Sequence, residues 1–519
     1  MADPPPEKKV RGEKSDEDNI DRLSALPDCV LLHILSSFKT KDAAATSILS
    51  RRWRNLFISL PDIHLSISVD NDASDRDRLF SDFIDFSNRV FRQRNNAPIK
   101  KIRFFVKHFV ERYRLAFESW LLSAAAAISL SSIQELGISV LINETTMPFL
   151  ISIPPGFLSC KTLVSLSLNL WADWIVPDLV SLPNLKFLNL SGFKLVDEDC
   201  FVRFLRGCPS LEELMLHLRP FYDERESGEG IEVEVLDISN PSLKKLILCW
   251  HEKVELEFTI IVKSKNFEYL LCFLEGQHKV NIDAPKITSL DIVGRVLEVN
   301  IIQDLMSLDT AGVQSDFLYY ITTESDLFLR GWHAFKFMSG LQNLKSLSLS
   351  EKILKALYFS QRGLPTFRNL IKLELIPFYC HDFPRMCIWK VLSSLFESSP
   401  NLEVLIFQEV FKNYFSEDEE LDSVFPEALP LTFIEHLKEI EFKNFEGEEH
   451  EFKLVEYFLK NAKTLKKMTI AKEPWNSVPE CRDRILSFKK CSEDCQIVFK
   501  KKMDWIKCPQ LRKALNLSV

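Results

Sequence analysis

Residues 162–168 read TLVSLSL and residues 184–190 read NLKFLNL. In each, an apolar residue is followed three and five positions later by two more: Leu163, Leu166 and Leu168 in the first, Leu185, Leu188 and Leu190 in the second. The last two are spaced by two, which puts their side chains on one face of a short strand. The trio returns in SLEELML (Leu211, Leu214, Leu216), SLKKLIL (Leu243, Leu246, Leu248), NLKSLSL (Leu344, Leu347, Leu349), NLIKLEL (Leu370, Leu373, Leu375) and NLEVLIF (Leu402, Leu405, Phe407). Weaker copies are IQELGI (Ile133, Leu136, Ile138), FEYLLC (Phe267, Leu270, Cys272) and ITSLDI (Ile287, Leu290, Ile292). Ten copies exceed what a leucine-rich core produces by chance.

Leading residues are 22 apart from Leu163 to Leu185, 26 from Leu185 to Leu211, 24 from Leu243 to Phe267 and 26 from Leu344 to Leu370. This matches the roughly 20 to 29 residue period of leucine-rich repeats. Such a unit buries its apolar face only by stacking on its neighbours, so the array forms a solenoid with an extended binding surface. The irregular intervals predict an imperfect horseshoe of α/β class, and the 57 residues from Ile287 to Leu344 hide one or two degenerate repeats. Recognition residues are expected between the core leucines: Ser165, Ser167, Lys186, Asn189, Glu212, Glu213, Lys244, Lys245, Lys345, Ser348, Lys372 and Glu374. Trp171, Trp174, Trp250 and Trp332 are either partner anchors or packing residues.

Upstream, residues 20–63 read IDRLSALPDCVLLHILSSFKTKDAAATSILSRRWRNLFISLPDI, whose punctuation predicts three short helices. Pro27 suits a first helical position and Asp28 complements the helix dipole. Leu31, Ile34, Leu35 and Phe38 form one stripe, Thr40 and Asp42 start a second helix, and Ser50 caps a third carrying Trp53, Leu56 and Phe57. A unit this short is near the lower limit for folding on its own core, and its apolar set is too large to hide, which implies a partner.

LPDCVLLHILSSF followed by AATSILSRRWRNLF resembles the F-box, particularly the plant form ending in a Leu-Ser-(Arg or Lys)-Arg-Trp run. The resemblance implies binding to a Skp-type adaptor, which docks on a cullin in a ubiquitin ligase. By the same resemblance Leu26 and Pro27 open the motif, Leu31, Ile34 and Leu35 form its apolar helix, and Ile48, Leu49 and Trp53 supply its later contacts.

Beyond the repeats, HLKEIEF (Leu437, Ile440, Phe442), an acidic turn at Glu446 to Glu448, a helix carrying Phe452, Val455, Tyr457, Phe458 and Leu459, the strand TLKKMTI, a last helix around Arg484 to Lys489 and CQIVF close the solenoid. This order of elements resembles the FBD domain of plant F-box proteins, and the whole chain resembles plant F-box/FBD/LRR-repeat proteins. The resulting organisation is an arm at 1–19, a three-helix F-box at 20–65, irregular leucine-rich repeats at 66–420, an FBD domain at 421–500 and a tail at 501–519.

Composition narrows the function. Of 519 residues 46% are hydrophobic and the net charge is -8, so no basic field draws the chain to nucleic acid. Residues 1–19 lack an apolar stretch of the signal-peptide kind, and the membrane-like run from Trp120 to Ile142 is interrupted by Gln134, Glu135 and serines, which favours a buried helix followed by a strand. Cytoplasm and/or nucleus is expected, with no membrane partner. The 12 cysteines follow no paired framework, so reduced thiols are expected.

Only 14 glycines are present, and no G-x-S-x-G elbow, Walker loop or H-E-x-x-H occurs. Cys481, Cys491 and Cys495 contain no C-x-x-C pair, and the acidic runs Glu417 to Glu420 and Glu446 to Glu451 read as solvated faces. No catalytic residue, metal or cofactor is expected. The resemblance implies a non-catalytic substrate-recognition subunit of an SCF-type (Skp-cullin-F-box) ubiquitin ligase whose repeats hold a protein substrate. The alternative is a repeat scaffold outside an active ligase.

Overall fold

The computed structural model describes residues 23, 25–68, 75–94, 97–128, 130–142, 151–175, 179–194, 199–218, 235–254, 259–276, 278–296, 298–316, 323–377, 385–409, 430–472 and 479–501. Glu417 to Glu420 lie outside them.

The N-terminal unit has the three expected helices: α1 (Asp28–Ser36), α2 (Thr40–Ala45) and α3 (Arg51–Ile58). Pro27 is the N-cap of α1, and the Ser50 hydroxyl accepts the Trp53 amide at 3.3 Å, capping α3. Leu31, Leu35, Ala43, Trp53, Leu56 and Phe57 are buried. The Arg52 guanidinium donates to Asp28 Oδ1 at 2.6 Å and to the Leu26 carbonyl at 2.6 Å, tying α3 to the start of α1.

The solenoid follows without a break. Its first part runs β1 (Asp62–Ser68), α4 (Arg76–Gln93), β2 (Lys101–Phe109), α5 (Arg114–Ala127), β3 (Glu135–Ile142), β4 (Ser165–Ile175), β5 (Phe187–Lys194), α6 (Cys200–Arg206) and β6 (Glu213–Leu218). Among the described residues the middle consists of strands alone: β7 (Val235–Ser239), β8 (Lys245–Val254), β9 (Thr259–Lys263), β10 (Tyr269–Gly276), β11 (Lys279–Asp283), β12 (Ser289–Arg295), β13 (Glu298–Ile301) and β14 (Thr310–Asp316). Helices then return: α7 (Glu324–Ser339), β15 (Ser346–Ser350), α8 (Glu351–Phe359), β16 (Lys372–Ile376), α9 (Arg385–Glu397), β17 (Val404–Phe407), α10 (Leu431–His436), β18 (Glu439–Phe442), α11 (Glu449–Asn461), β19 (Lys467–Lys472), α12 (Pro479–Ser487) and β20 (Gln496–Lys501).

Sixteen of these strands form one parallel sheet in the order β1-β2-β3-β4-β5-β6-β8-β10-β12-β14-β15-β16-β17-β18-β19-β20. Parallel neighbours require a crossover. In the middle of the array that crossover is itself a strand, and β13-β11-β9-β7 make a second parallel sheet with Leu236, Ile238, Ile260, Val262, Val280 and Ile282 buried. The trios explain the main sheet. Leu163, Leu166, Leu168, Leu185, Leu188 and Leu190 are all fully buried, the first of each trio in the turn entering the strand and the other two along it. The run at residues 120–142 is the predicted helix and strand, α5 and β3.

Three trios escaped the sequence reading. Leu60, Ile63 and Leu65 make β1, Ile99, Ile102 and Phe104 make β2, and Leu308, Ala311 and Val313 make β14, the repeat strand within the Ile287 to Leu344 gap. The sheet therefore starts inside the segment read as the N-terminal unit. That junction is pinned: the Thr40 hydroxyl accepts the His64 amide at 2.7 Å, the Pro61 carbonyl accepts the Lys100 amide at 2.8 Å, and the buried Arg94 donates to the Leu60 carbonyl.

The C-terminal unit extends the same sheet through β18, β19 and β20. Its acidic run is a solvated face at Glu446, Glu448 and Glu449, which are exposed as expected, but not at Glu451. Glu451 is 2% exposed, and its carboxylate accepts the amides of Glu446 at 3.0 Å, Gly447 at 2.6 Å and Glu448 at 2.8 Å, where Gly447 adopts the φ of +88° that lets the turn close.

Candidate interaction surfaces

The eight residues assigned to adaptor contact separate into two groups. Leu31, Leu35 and Trp53 are 0%, 0% and 5% exposed among the unit's own helices, while Leu26 and Ile34 are half-buried against that core. Pro27 is exposed, and Ile48 and Leu49 are 85% and 63% exposed. The cause is local. A 3-10 turn over Thr46–Ile48 separates α2 from α3 and turns both side chains outward. Val30 on α1 and Phe38 just beyond its end are also exposed. Burying such aliphatic side chains is worth roughly 1.5 to 3 kcal/mol each, so this face gains by being covered.

The second surface is the face of the main sheet opposite the buried leucines. Register aligns its residues in rows. One row runs Asn189, Met215, Ile247, Leu271, Asp291 and Gly312 across β5, β6, β8, β10, β12 and β14, and continues through Ser348 to Glu374. Of the predicted recognition residues, Ser165, Ser167, Asn189, Glu213, Lys245, Ser348, Lys372 and Glu374 occupy this face. Lys186, Glu212, Lys244 and Lys345 do not. They precede their strands and form ion pairs along the sheet's entrance edge, Lys186 to Glu212 at 3.1 Å, Lys244 to Glu212 at 2.9 Å and Lys345 to Asp309 at 2.7 Å. Hydrogen bonds from Lys244 and Lys186 hold the Glu212 carboxyl below its ordinary value.

Of the tryptophans, Trp250 is buried with its ring 5.0 Å from that of His278, and Trp332 is 39% exposed beneath the Arg362 guanidinium at 4.3 Å. The side chains of Trp171 and Trp174 lie outside those described.

The sequence reading missed an apolar patch on the open face. Ile247, Cys249 and Leu271 are buried there, ringed by half-buried Met215, Tyr269, Phe273 and Val293. Burial pushes the Cys249 thiol up to about 12, so it packs as a small apolar group. The signal was present: residues 246–250 (LILCW) and 270–274 (LLCFL) lack the alternation of a one-sided strand. Asp291 borders the patch. Burial pushes its carboxyl up to about 6, against a hydrogen bond from Tyr269 that lowers it.

Farther along the row, Glu374 Oε1 accepts from Lys443 Nζ at 2.5 Å and from Gln408 Nε2 at 2.5 Å, and Oε2 accepts from the Ser348 hydroxyl at 3.1 Å. Burial pushes this carboxyl up, but the bonds from Lys443 and Ser348 and the charges of Lys443 and Lys372 carry it below the usual glutamate value.

Among the described residues no three His, Cys, Asp or Glu cluster to hold a metal ion, and no helix is long and apolar enough to cross a membrane.

A three-helix unit with exposed apolar residues leads directly into a long parallel repeat sheet, the arrangement expected of an F-box followed by a leucine-rich-repeat solenoid. Comparison with known families agrees. Residues 23–64 match the F-box domain, 117–313 match the repeats described as FBD-associated F-box protein At5g56370, LRR repeats, and 426–470 match FBD. The chain is 28% identical over 505 residues to F-box/FBD/LRR-repeat protein At1g78750 of Arabidopsis thaliana, covering 95% of this chain and 98% of that one. It is 28% identical over 492 residues to F-box/FBD/LRR-repeat protein At5g22660, covering 92% and 96%. It is 29% identical over 395 residues to F-box/LRR-repeat protein At4g14103, covering 75% and 91%, both also from Arabidopsis thaliana. The chain thus carries F-box, leucine-rich-repeat and FBD domains in that order, and its homologues are plant F-box/FBD/LRR-repeat proteins.

Proposed function

We propose that this chain is the substrate-recognition subunit of an SCF-type ubiquitin ligase. Its F-box binds a Skp-type adaptor and through it a cullin, and the open face of the solenoid binds a protein substrate. The observation carrying this reading is the pair Ile48 and Leu49, exposed as Pro27 is, on a unit whose buried residues already form its core. An F-box domain implies a Skp-type adaptor, and F-box/LRR proteins are typically non-catalytic ligase subunits, so the contribution to rate is proximity: substrate lysines are held near a conjugating enzyme. Pro27, Ile48 and Leu49 contact the adaptor directly, while Leu31, Leu35 and Trp53 shape the face from beneath. Cytoplasm and/or nucleus is the matching location.

The test is binding of the purified full chain to a Skp-type adaptor. Ile48→Asp with Leu49→Asp should weaken binding by about 100-fold or more, as loss of central apolar anchors does. Leu26→Ala with Pro27→Ala should weaken it less, and circular dichroism should be unchanged in both. Full affinity in the aspartate variant would overturn the assigned face. Adaptor binding without cullin co-purification would favour a scaffold outside an active ligase.

A further inference from the structure

The open face is not uniform. Its row is Ser or Asn where β4 and β5 cross it and Gly or Ser at β14 and β15, yet between them stand Met215, Ile247 and Leu271, followed at once by Asp291. A carboxylate beside buried aliphatic side chains is unfavourable unless its charge is matched. Asp291 has a hydrogen bond from Tyr269 and, among the described residues, no cation paired to it. The nearby cations are committed elsewhere: Arg295 pairs with Glu275 at 3.3 Å, and Lys245 pairs with Glu213 at 3.6 Å and lies 5.7 Å from the Tyr269 ring centre. The neighbouring strand makes room for the acid, because a Cβ at Gly312 would stand 2.2 Å from Asp291 Oδ1.

We infer that the stretch of open face from β6 to β12 docks an extended protein segment in which a lysine or arginine stands beside apolar side chains, with Asp291 receiving the cation. The inference rests on the receptor reading above and names the chemistry of its substrate. Four strands spaced by about 4.8 Å span roughly 14 Å, the reach of four or five residues of extended chain. The half-buried Met215, Phe273 and Val293 provide the apolar contact. Charge complementarity selects the occupant: an acidic segment would place like charges together in a partly apolar site, and a purely apolar one would cover Asp291 and leave it unmatched.

The test uses the full chain purified with its Skp-type adaptor and a displayed library of random peptides of roughly 12 residues. Enriched peptides should carry Lys or Arg next to two or more of Leu, Ile, Phe or Trp. Replacing that cation by citrulline or norleucine should weaken binding about tenfold or more, and Asp291→Asn should abolish this difference. Asp291→Lys should shift the preference to Glu at the same position, and Phe273→Ser should weaken all selected peptides alike. Enrichment without a cation, a preference unchanged in Asp291→Asn, or no enrichment in a sample that still binds adaptor would each overturn the inference and leave the receptor reading standing. Failure to bind adaptor would count against the receptor reading instead.

Discussion

Asp291 and Glu374 occupy the same row of the same sheet, separated only by the positions of Gly312 and Ser348. Both are carboxylates shielded by a neighbouring strand, and burial acts on both in the same direction. Their environments otherwise diverge. Glu374 has an ammonium, an amide and a hydroxyl on its two oxygens, all from the chain itself. Asp291 has one phenol and an apolar flank. The C-terminal stretch thus completes its own electrostatics, while the central stretch leaves a charge for something else to match. Two acids of one row can serve opposite ends, one fastening the scaffold and one facing outward.

Removing Lys443 should break the contrast most severely. Lys443→Met strands a buried carboxylate, and such losses typically cost about 3 to 5 kcal/mol, so thermal unfolding should show a clear fall in Tm that Glu374→Gln in the same chain partly restores. Unchanged melting would mean that Glu374 is better solvated than its 14% side-chain exposure indicates.

The next effect has a sign that depends on the acid. Glu374 titrates below its unfolded value, so its contribution is complete above the unfolded pKa of about 4.3 and is lost as pH falls through the lower folded pKa. Asp291 titrates near 6 when folded, above its unfolded value, so stability declines as pH rises from about 4 to 6 and is flat beyond. Asp291→Asn should therefore gain on the native chain across that interval, by on the order of 2 kcal/mol at pH 7. Melting curves at pH 4, 5, 6 and 7 would show it, and an advantage that shrinks with rising pH would refute the assignment.

The smallest effect sharpens the comparison at one contact. Gly312→Ala should cost about 1 to 2 kcal/mol by crowding the Asp291 carboxylate, and the cost should vanish when Asp291 is also alanine. An equal cost in both backgrounds would trace it to the backbone of β14.

Much of this was legible in the sequence because a leucine trio at three-and-five spacing has few other uses. The trios at Leu60, Ile99 and Leu308 obey the same rule and were hidden only by Ile, Phe, Ala and Val in place of leucine. The second sheet announces itself weakly, as apolar pairs two apart at Leu236 and Ile238 or Ile260 and Val262, too short to separate from loop. Start signals at Pro27, read as a first helical position and found one residue earlier at the N-cap, and at Ser50 mark the F-box helices, but no spacing says that Ile48 faces outward, because that depends on the turn between two of them. The central patch is hidden for the opposite reason: in β8 and β10 both faces of the strand are apolar, so the pattern does not separate core face from open face.

The pinning of β1 reaches beyond geometry. Among the described residues the end strands of this sheet, β1 and β20, each pair on one side only, and unpaired strand edges template addition of further chains. At the far end β20 is guarded by exposed Lys500 and Lys501. At the near end the guard is the F-box: α2 packs on β1, and Thr40 occupies the His64 amide that an incoming strand would use. The element proposed to recruit the ligase is thus also the stopper against fibrous self-assembly, and proteolysis near residue 60 would yield aggregation-prone debris instead of a soluble decoy.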